Sequence, residues 1–231
     1  MRHVVFWFAA ALVAGAQDRA YEAQRARLVR EQLADRGIQN PAVLKAFRET
    51  PREQFMPAAV RVLAYEDRPV PIGYGQTISQ PYTVAYQTQL LNIHRGDKIL
   101  EIGTGSAYQA SVLAELGAWV YTIERQRKLF EKYRNSRYLQ HIRNIHFFYG
   151  DGHEGLSAYA PFDKILITAA SQIIPAALID QLAINGFLVL PFGSIDQYQI
   201  MMRISKSIDG GLIKETFNRF SFVPMVQGTN E

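Results

Sequence analysis

The feature that most constrains this sequence is the stretch at residues 98–124, where two apolar runs flank a glycine-rich turn. The first run, residues 99–102, follows a polar turn and predicts a buried parallel strand. Apolar residues at helical spacing over residues 106–116 predict a helix, and residues 119–123 predict the next strand. The stretch is therefore predicted to form a β-α-β unit, and such units bind nucleotides at the carboxyl ends of their strands.

The residues around the turn discriminate between nucleotides. The turn contains Gly103 and Gly105, but the sixth position of the dinucleotide fingerprint is Tyr108 instead of a small residue. Glu101 precedes the turn and would repel a pyrophosphate by about 4 kcal/mol at an effective dielectric of 20. Glu124 ends the second strand, where a carboxylate can accept both ribose hydroxyls. This pattern favours S-adenosylmethionine, a cation without phosphate, over NAD; a turn that binds no ligand is the remaining alternative.

Composition excludes several kinds of chemistry. The chain has 231 residues and no cysteine, so it has no disulfide and no thiolate nucleophile. Its five histidines lack ligand spacing, and we predict no metal site. The net charge is +4, but lysines and arginines are scattered along the chain, so we predict no nucleic-acid binding. The length suits one α/β domain.

The N-terminus resembles a secretory signal. A basic start is followed by an apolar run over residues 4–13 and by an A-x-A site at residues 14–16. This run is too short to span a bilayer. Residues 1–16 are therefore predicted to be a signal-like leader, which favours export to the periplasm or secretion. The alternatives are a misassigned start and an unusual N-terminal helix, and S-adenosylmethionine, which is kept inside cells, favours the cytoplasm.

Residues 65–81 are rich in proline, glycine and hydroxyl side chains, which predicts an ordered loop and neither strand nor helix. The loop and one helix directly precede the first strand of the β-α-β unit, so the loop can lie over the cofactor site. Its hydroxyls and backbone amides are therefore candidates for substrate binding. Ser79 has an alternative role as the cap of the helix that begins at Pro81.

The remaining apolar patterns predict an α/β sheet whose last strands are antiparallel. Asp151 follows a predicted strand and is placed to bond the adenine amino group, although an Asp-Gly turn is an equal alternative. The predicted helices are residues 17–37, 81–91, 125–140 and 175–184, and a further helix begins at residue 41. The further predicted strands are residues 145–149, 164–168, 187–191, 199–204 and 212–217.

The sequence also limits the methyl acceptor. Residues 168–171 are Thr-Ala-Ala-Ser, whereas enzymes that methylate the exocyclic amines of bases usually carry a [DN]-P-P-[FYW] turn there. Methylation at cytosine C5 needs a cysteine nucleophile, which the chain lacks. A carboxylate acceptor is already ionised at pH 7 and needs no strong base. Alignment of the reacting atoms can then supply on the order of 7–11 kcal/mol.

With these motifs the chain closely resembles the protein-L-isoaspartate O-methyltransferases over about residues 27–226. The resemblance rests on residues 64–67 and 71–81, on residues 100–106, on Gly-Asp-Gly at residues 150–152, and on residues 160–163. It implies methylation of the free α-carboxylate of L-isoaspartyl residues and, more weakly, of the D-aspartyl side chain. The ester would close to a succinimide, which reopens partly to normal aspartate.

The resemblance also assigns site residues. Ser79 matches the active-site serine, which contacts the acceptor carboxylate. The substrate-binding residues implied are Gln76, Thr77, Ile78 and Ser79. The residues implied for S-adenosylmethionine are Gln80, Pro81, Glu101, Gly103, Thr104, Gly105, Ser106, Glu124, Arg125, Asp151 and Gly152.

The fold implied is α/β, a Rossmann-like doubly wound sheet that is mostly parallel, has antiparallel last strands and carries N-terminal helices. Residues 17–231 form one methyltransferase domain, divided into a helical cap with substrate loop (17–93) and a cofactor-binding core (94–231). The partners implied are isoaspartyl peptides and damaged proteins. We expect a cytoplasmic monomer without nucleic acid or stable membrane association.

The chain departs from the family in two places. At residue 107 it has alanine where glycine is usual, and the methyl group could crowd the cofactor. The second departure is the signal-like leader. Two alternative functions remain, and these departures support only the first of them. One is an exported peptide-binding protein with a weakened cofactor site, and the other is a carboxyl methyltransferase for a small acid.

Overall fold

The structure, a computed structural model, describes residues 2–194 and 196–231. Within these ranges the chain forms nine strands and six α-helices. The strands are β1 (Val70–Gly73), β2 (Gln76–Ile78), β3 (Lys98–Ile102), β4 (Trp119–Glu124), β5 (Ile145–Tyr149), β6 (Phe162–Ile167), β7 (Leu182–Phe192), β8 (Gln199–Lys206) and β9 (Leu212–Phe220). The helices are α1 (Arg2–Arg27), α2 (Pro41–Glu49), α3 (Pro81–Leu91), α4 (Tyr108–Glu115), α5 (Arg127–Arg134) and α6 (Ala176–Asp180).

Strands β3 to β9 form one seven-stranded sheet in the order β5-β4-β3-β6-β7-β8-β9. The pairs β3–β4, β4–β5, β3–β6 and β6–β7 are parallel, whereas β8 is antiparallel to both β7 and β9. The chain leaves β3 toward β4 on one side and later returns to pair β6 on the other. The carboxyl end of β3 therefore lies at a topological switch point, where ligands of such sheets bind. The predicted Rossmann-like sheet with antiparallel last strands is confirmed.

The alternating residues of β3 pack on opposite faces of the sheet. Ile99 belongs to a buried cluster with Val112 of α4, and α2, α3 and α5 cover the same face. Leu100 belongs to a second cluster, which contains Leu178 of α6. Both residues of β3 are fully buried, as expected for a parallel strand with two covered faces.

A capping residue and two prolines explain where α2 and α3 begin. Asn40 caps α2 by accepting hydrogen bonds from the N–H groups of Ala42 and Val43, at 3.0 and 3.3 Å. Pro41 and Pro81 occupy the first turns of α2 and α3, where a missing N–H costs nothing.

Several predicted elements differ from the structure: for example, the strand predicted at 187–191 extends over Leu182–Phe192. The predicted loop at residues 65–81 contains the antiparallel hairpin β1–β2, because Val70 pairs with Ile78. The helix predicted over 125–140 ends at Arg134, and residues 139–141 form a separate 3₁₀ turn. The helix predicted to reach residue 184 ends at Asp180, because Leu182 already pairs with Phe162 in the sheet. The first helix begins before residue 17 and continues through a π-helical turn, Leu28–Leu33.

The backbone of most of the predicted leader forms the beginning of α1, and Met1 lies outside the described residues. Cleavage of the leader stays a prediction. Among the residues described, no helix is long and apolar enough to cross a membrane.

Leu100 is fully buried in the central strand β3, so we expect its truncation to destabilise the fold strongly. We expect Leu100→Ala to lower the free energy of unfolding by about 2–5 kcal/mol, because it removes apolar contacts and leaves a cavity. Leu212→Ala, at a residue of the edge strand β9 that is 41% exposed, is the matched control and should cost less than about 1 kcal/mol. Urea unfolding of both variants measures the difference, and equal costs would contradict the placement of Leu100.

Candidate active site

A cavity of about 870 Å³ lies at the carboxyl ends of β3, β4 and β6. It brings together the substrate loop, defined here as residues 76–80, and the glycine turn that follows β3. Twelve of the residues assigned from the sequence line it, namely Gln76, Thr77, Ile78, Ser79, Gln80, Gly103, Thr104, Gly105, Ser106, Glu124, Arg125 and Gly152. Pro81, Glu101 and Asp151 do not line it. The volume is typical of a small-molecule site.

The cavity wall requires glycine at two positions. Gly103 has φ +97°, and a Cβ placed on it would lie 2.5 Å from Oγ1 of Thr168. That hydroxyl lies 2.9 Å from the carbonyl oxygens of both Ile102 and Gly103, which fixes its position. A Cβ on Gly152 would lie 2.2 Å from Cγ2 of Ile102. The backbone is therefore free of side chains at the end of β3, so that a ligand can approach it closely.

Glu124 holds the glycine turn against the end of β4. Its carboxylate accepts hydrogen bonds from the N–H groups of Gly105, at 2.8 Å, and Gln126, at 2.9 Å. Burial raises the pKa of Glu124, and these backbone hydrogen bonds act in the opposite direction. A carboxylate oxygen has room for a further donor after one such bond. Glu124 can therefore shape the turn and also accept a hydrogen bond from a ligand hydroxyl.

Glu101 is connected to the cavity through two threonine hydroxyls. Thr122 donates to Oε2 of Glu101 at 2.5 Å, and its Oγ1 lies 2.7 Å from Oγ1 of Thr104, which lines the cavity. The other carboxyl oxygen of Glu101, Oε1, is buried and has no hydrogen-bond partner among the described residues. Burial raises the pKa of Glu101 to about 8. A cation in the cavity would favour the ionised form of this group.

The segment after β9, residues 221–230, returns across the carboxyl edge of the sheet. Val223 accepts a hydrogen bond from the N–H of Ala170 at 2.7 Å, and Gly228 donates to Oδ2 of Asp151 at 2.7 Å. Nε of Arg125 donates to the carbonyl oxygen of Gly228 at 2.8 Å. Part of this segment, residues 221–226, lines the cavity.

Asp151 anchors this C-terminal segment. Burial acts to raise the pKa of Asp151, but hydrogen bonds from the backbone N–H groups of His153 and Gly228 outweigh it and lower the pKa. Asp151 is thus ionised at neutral pH. Its predicted contact with the adenine amino group stays a prediction.

The substrate loop is fixed by two charged residues. The Asp67 carboxylate accepts hydrogen bonds from Nε2 of Gln80 and the N–H of Tyr82, both at 2.8 Å, and forms a salt bridge with Arg36. Arg52 donates from Nη2 to the carbonyl oxygen of Ser79 at 2.7 Å. Because Asp67 supplies the acceptor at the start of α3 and Gln80 is its N-cap residue, the alternative role of Ser79 as a helix cap is wrong.

Ala107 does not crowd the cavity. It is fully buried in the core cluster under α4 and is not among the cavity-lining residues. Its φ of +62° places it in the left-handed region, which costs an L-residue about 1–2 kcal/mol and explains why glycine suits the position. The structure thus connects this departure with backbone strain, and an effect of Ala107 on cofactor affinity stays a prediction.

Several lining residues were missed by the sequence analysis. Tyr108 and Gln109 begin α4 and form part of the wall, and Oε1 of Gln109 is a buried acceptor without a partner among the described residues. In the sequence, Tyr108 was noted only because it occupies the position where the dinucleotide fingerprint has a small residue. Residues 218–226 carry no motif, and only the reversal of the sheet at β8 and β9 indicates that they return to the site. In the part of the chain that is described, no group of three acidic or histidine side chains is placed to hold a metal ion.

The sheet order, the antiparallel last strands and the acid-flanked glycine turn define a class, the S-adenosylmethionine-dependent methyltransferases. The family model for protein-L-isoaspartate(D-aspartate) O-methyltransferase matches residues 23–230. The chain belongs to this family.

Relatives and solved structures agree with this assignment. The chain is 47% identical to the protein-L-isoaspartate O-methyltransferase of Flavobacterium psychrophilum over 198 residues, which covers 86% of this chain and 92% of that one. The enzyme of that name from Ignicoccus hospitalis is 41% identical over 209 residues, with coverages of 89% and 99%.

A solved protein-L-isoaspartate O-methyltransferase superposes with a TM-score of 0.78 at 27% identity, covering 87% of this chain and 65% of that chain. A putative enzyme of the same name from Plasmodium falciparum, in complex with S-adenosyl-L-homocysteine, gives a TM-score of 0.75 at 26% identity, with coverages of 87% and 98%.

The buried carboxyl of Glu101 predicts a pH-dependent stability. Its folded pKa of about 8 lies above the ordinary value of 4.5, so the folded protein keeps a proton that the unfolded chain releases between these pH values. The stability contributed by this group is present below pH 4.5 and is lost as pH rises to 8, by at most about 1.4 kcal/mol per pH unit. We expect Glu101→Gln to flatten this slope in chemical unfolding at a series of pH values. An unchanged slope would show that Glu101 is ionised in the folded protein.

Proposed function

We propose that the chain transfers a methyl group from S-adenosylmethionine to the free α-carboxylate of L-isoaspartyl residues and, more weakly, to the side chain of D-aspartyl residues in damaged proteins. The observation that carries the proposal is that the substrate loop and the glycine turn line one cavity. A carboxylate acceptor and a methyl donor can thus meet in a single site. The resulting ester would close to a succinimide, which starts repair.

The residues at the glycine turn fit the cofactor. S-adenosylmethionine, when bound, supplies a methyl group on a positively charged sulfur. The turn offers a backbone without side chains at Gly103 and a carboxylate at Glu124 for the ribose hydroxyls. Gln109 lines the cavity and has a buried acceptor oxygen without a partner among the described residues, which suits a group with N–H donors. Glu101 lies behind the cavity wall, where its ionised form would attract a cation. We assign cofactor binding to Gln80, Pro81, Glu101, Gly103, Thr104, Gly105, Ser106, Glu124, Arg125, Asp151 and Gly152.

The substrate loop provides the groups that an ionised acceptor needs. Thr77 is exposed and Ser79 is half-buried, and both line the cavity. We assign Ser79 as the catalytic residue that contacts the acceptor carboxylate, with Gln76, Thr77 and Ile78 as substrate-binding neighbours. Because the carboxylate is the nucleophile, the site has no need of a general base. Its contribution is alignment of the reacting atoms and exclusion of water, which can supply on the order of 7–11 kcal/mol.

The remaining assignments extend this proposal. Residues 17–231 would act as one methyltransferase domain, with residues 17–93 as cap and substrate loop and 94–231 as cofactor-binding core. The enzyme would work as a monomer on isoaspartyl peptides and damaged proteins, without nucleic acid or stable membrane association. Cofactor supply favours the cytoplasm, and removal of residues 1–16 is the competing possibility.

The test of the function is methyl transfer from radiolabelled S-adenosylmethionine to an L-isoaspartyl peptide and to its normal aspartyl counterpart. We expect base-labile label on the isoaspartyl peptide alone. Ser79→Ala should lower kcat/KM by roughly 10- to 100-fold, because the acceptor carboxylate loses a hydrogen bond to a charged group. Ser157→Ala, at an exposed serine outside the cavity, should behave as wild type. Label on a small dicarboxylic acid, with none on the peptide, would establish the small-acid alternative.

Glu124 provides a separate test of the cofactor site. We expect Glu124→Gln to weaken binding of S-adenosylhomocysteine by roughly 10- to 100-fold in calorimetry, because a charged acceptor becomes neutral at a site shielded from water. Glu131→Gln, on the exposed side of α5, is the matched control and should leave the affinity unchanged. Equal affinities for wild type and Glu124→Gln would remove Glu124 from the cofactor site.

A further inference from the structure

Arg52 is a fully buried cation without an ionic partner. It lies in the 3₁₀ turn Arg52–Phe55, and none of its surface is exposed. Its Nη2 donates a hydrogen bond to the carbonyl oxygen of Ser79, at 2.7 Å, and the guanidinium carbon lies 4.9 Å from the ring centre of Tyr108. Nε and Nη1 have no hydrogen-bond partner among the described residues. An unpaired buried charge is costly to a fold and therefore points to a function.

The nearby acidic groups are engaged elsewhere. Asp67 binds Arg36, Gln80 and Tyr82, and the carboxylate of Glu53 accepts a hydrogen bond from the hydroxyl of Tyr65. No carboxylate in the described part of the chain forms a salt bridge with the guanidinium. Burial lowers the pKa of Arg52 to about 10, so the side chain is still charged at neutral pH. Asp67 acts on this charge only through space, without a direct contact, so the positive field is not cancelled by an ion pair.

The position of this charge connects it with the acceptor side of the cavity. Both groups that contact the guanidinium, Ser79 and Tyr108, line the cavity, whereas Arg52 itself does not. The cation is thus separated from the cavity by the residues that it contacts, and these residues face the proposed acceptor. A charge in this place attracts an anion through a region of low dielectric, where electrostatic attraction is strong.

We propose that Arg52 is a specificity-determining residue whose charge selects an anionic acceptor from behind the cavity wall. This inference rests on the proposed function. Transfer joins an acceptor carboxylate oxygen to the methyl carbon and breaks the carbon–sulfur bond, so that the negative and positive charges disappear together. A cation that bonded the carboxylate directly would occupy an oxygen lone pair that must attack the methyl carbon. Arg52 attracts the carboxylate without occupying the lone pairs that react.

The proposal predicts that loss of the Arg52 charge changes KM but not kcat. Loss of the charge weakens binding of the anionic reactant more than it affects the transition state, in which the acceptor charge is partly neutralised. Arg52→Met should therefore raise KM for an L-isoaspartyl peptide by roughly tenfold, while kcat does not fall. Arg52→Lys, which keeps the charge, should return KM to within about threefold of wild type. A purely structural role of Arg52 would lower kcat and leave Arg52→Lys impaired.

The experiment uses the full chain and two peptides, the L-isoaspartyl peptide and the same peptide with its α-carboxylate replaced by a carboxamide. KM is measured for the first and the inhibition constant Ki for the second, in wild type, Arg52→Met and Arg52→Lys. We expect Ki for the carboxamide to change by less than about twofold, and calorimetric affinity for S-adenosylhomocysteine to stay constant. Parallel rises in KM and Ki, or an unchanged KM in Arg52→Met, would overturn the proposal.

Wild type alone provides a further measurement that does not depend on folding of the variants. It should bind the isoaspartyl peptide at least about tenfold more tightly than the carboxamide, and equal binding would overturn the role of Arg52. If wild type does not methylate the isoaspartyl peptide at all, the proposed function fails and this inference fails with it. If wild type does methylate the peptide but Arg52→Met keeps its KM, the inference alone fails.

Discussion

The close approach of Thr168 to the backbone of Gly103 is the constraint on which the site depends. The hydroxyl lies 2.5 Å from where a side chain at residue 103 would place its Cβ, and φ at this residue is +97°, so glycine suits this position at the ends of β3 and β6. This contact creates the bare backbone at the switch point of the sheet. The end of β4 packs against the same turn: Ile123 accepts hydrogen bonds from the N–H groups of Gly103 and Thr104, and Glu124 accepts one from Gly105.

Charged groups in this protein organise the site more than they stabilise the fold. Asp67 and Arg52 both hold the end of the substrate loop that leads into α3, and Glu124 and Asp151 each hold a backbone amide at the other side of the cavity. Exposed ion pairs add little to stability, but these groups are largely shielded from water, so their hydrogen bonds are strong and their geometry is well defined. The cavity is thus shaped by side chains that have little freedom to move.

The sequence was sufficient for the sheet and for most of the site, and the reasons are physical. Parallel strands such as β3 are short apolar runs bounded by turns. Glycines at positions where a side chain would clash form a recognisable motif. The end of α6 was not predictable because it depends on a non-local contact, the pairing of Leu182 with Phe162. The local β1–β2 hairpin was not predicted because it lies in a segment rich in proline and glycine. Ala107 illustrates the same limit, because only the backbone angle shows which way its methyl group points.

The C-terminal segment links the cofactor site to the folding of the whole sheet. Arg125 and Gly228 are 103 residues apart in sequence and are joined by a hydrogen bond at the cavity. Such a site is complete only after β8 and β9 have docked, since closing so long a loop early is entropically costly. A ligand that binds only the completed site stabilises the entire fold. Fraying of the outer hairpin would therefore abolish binding even if every residue of the glycine turn were intact.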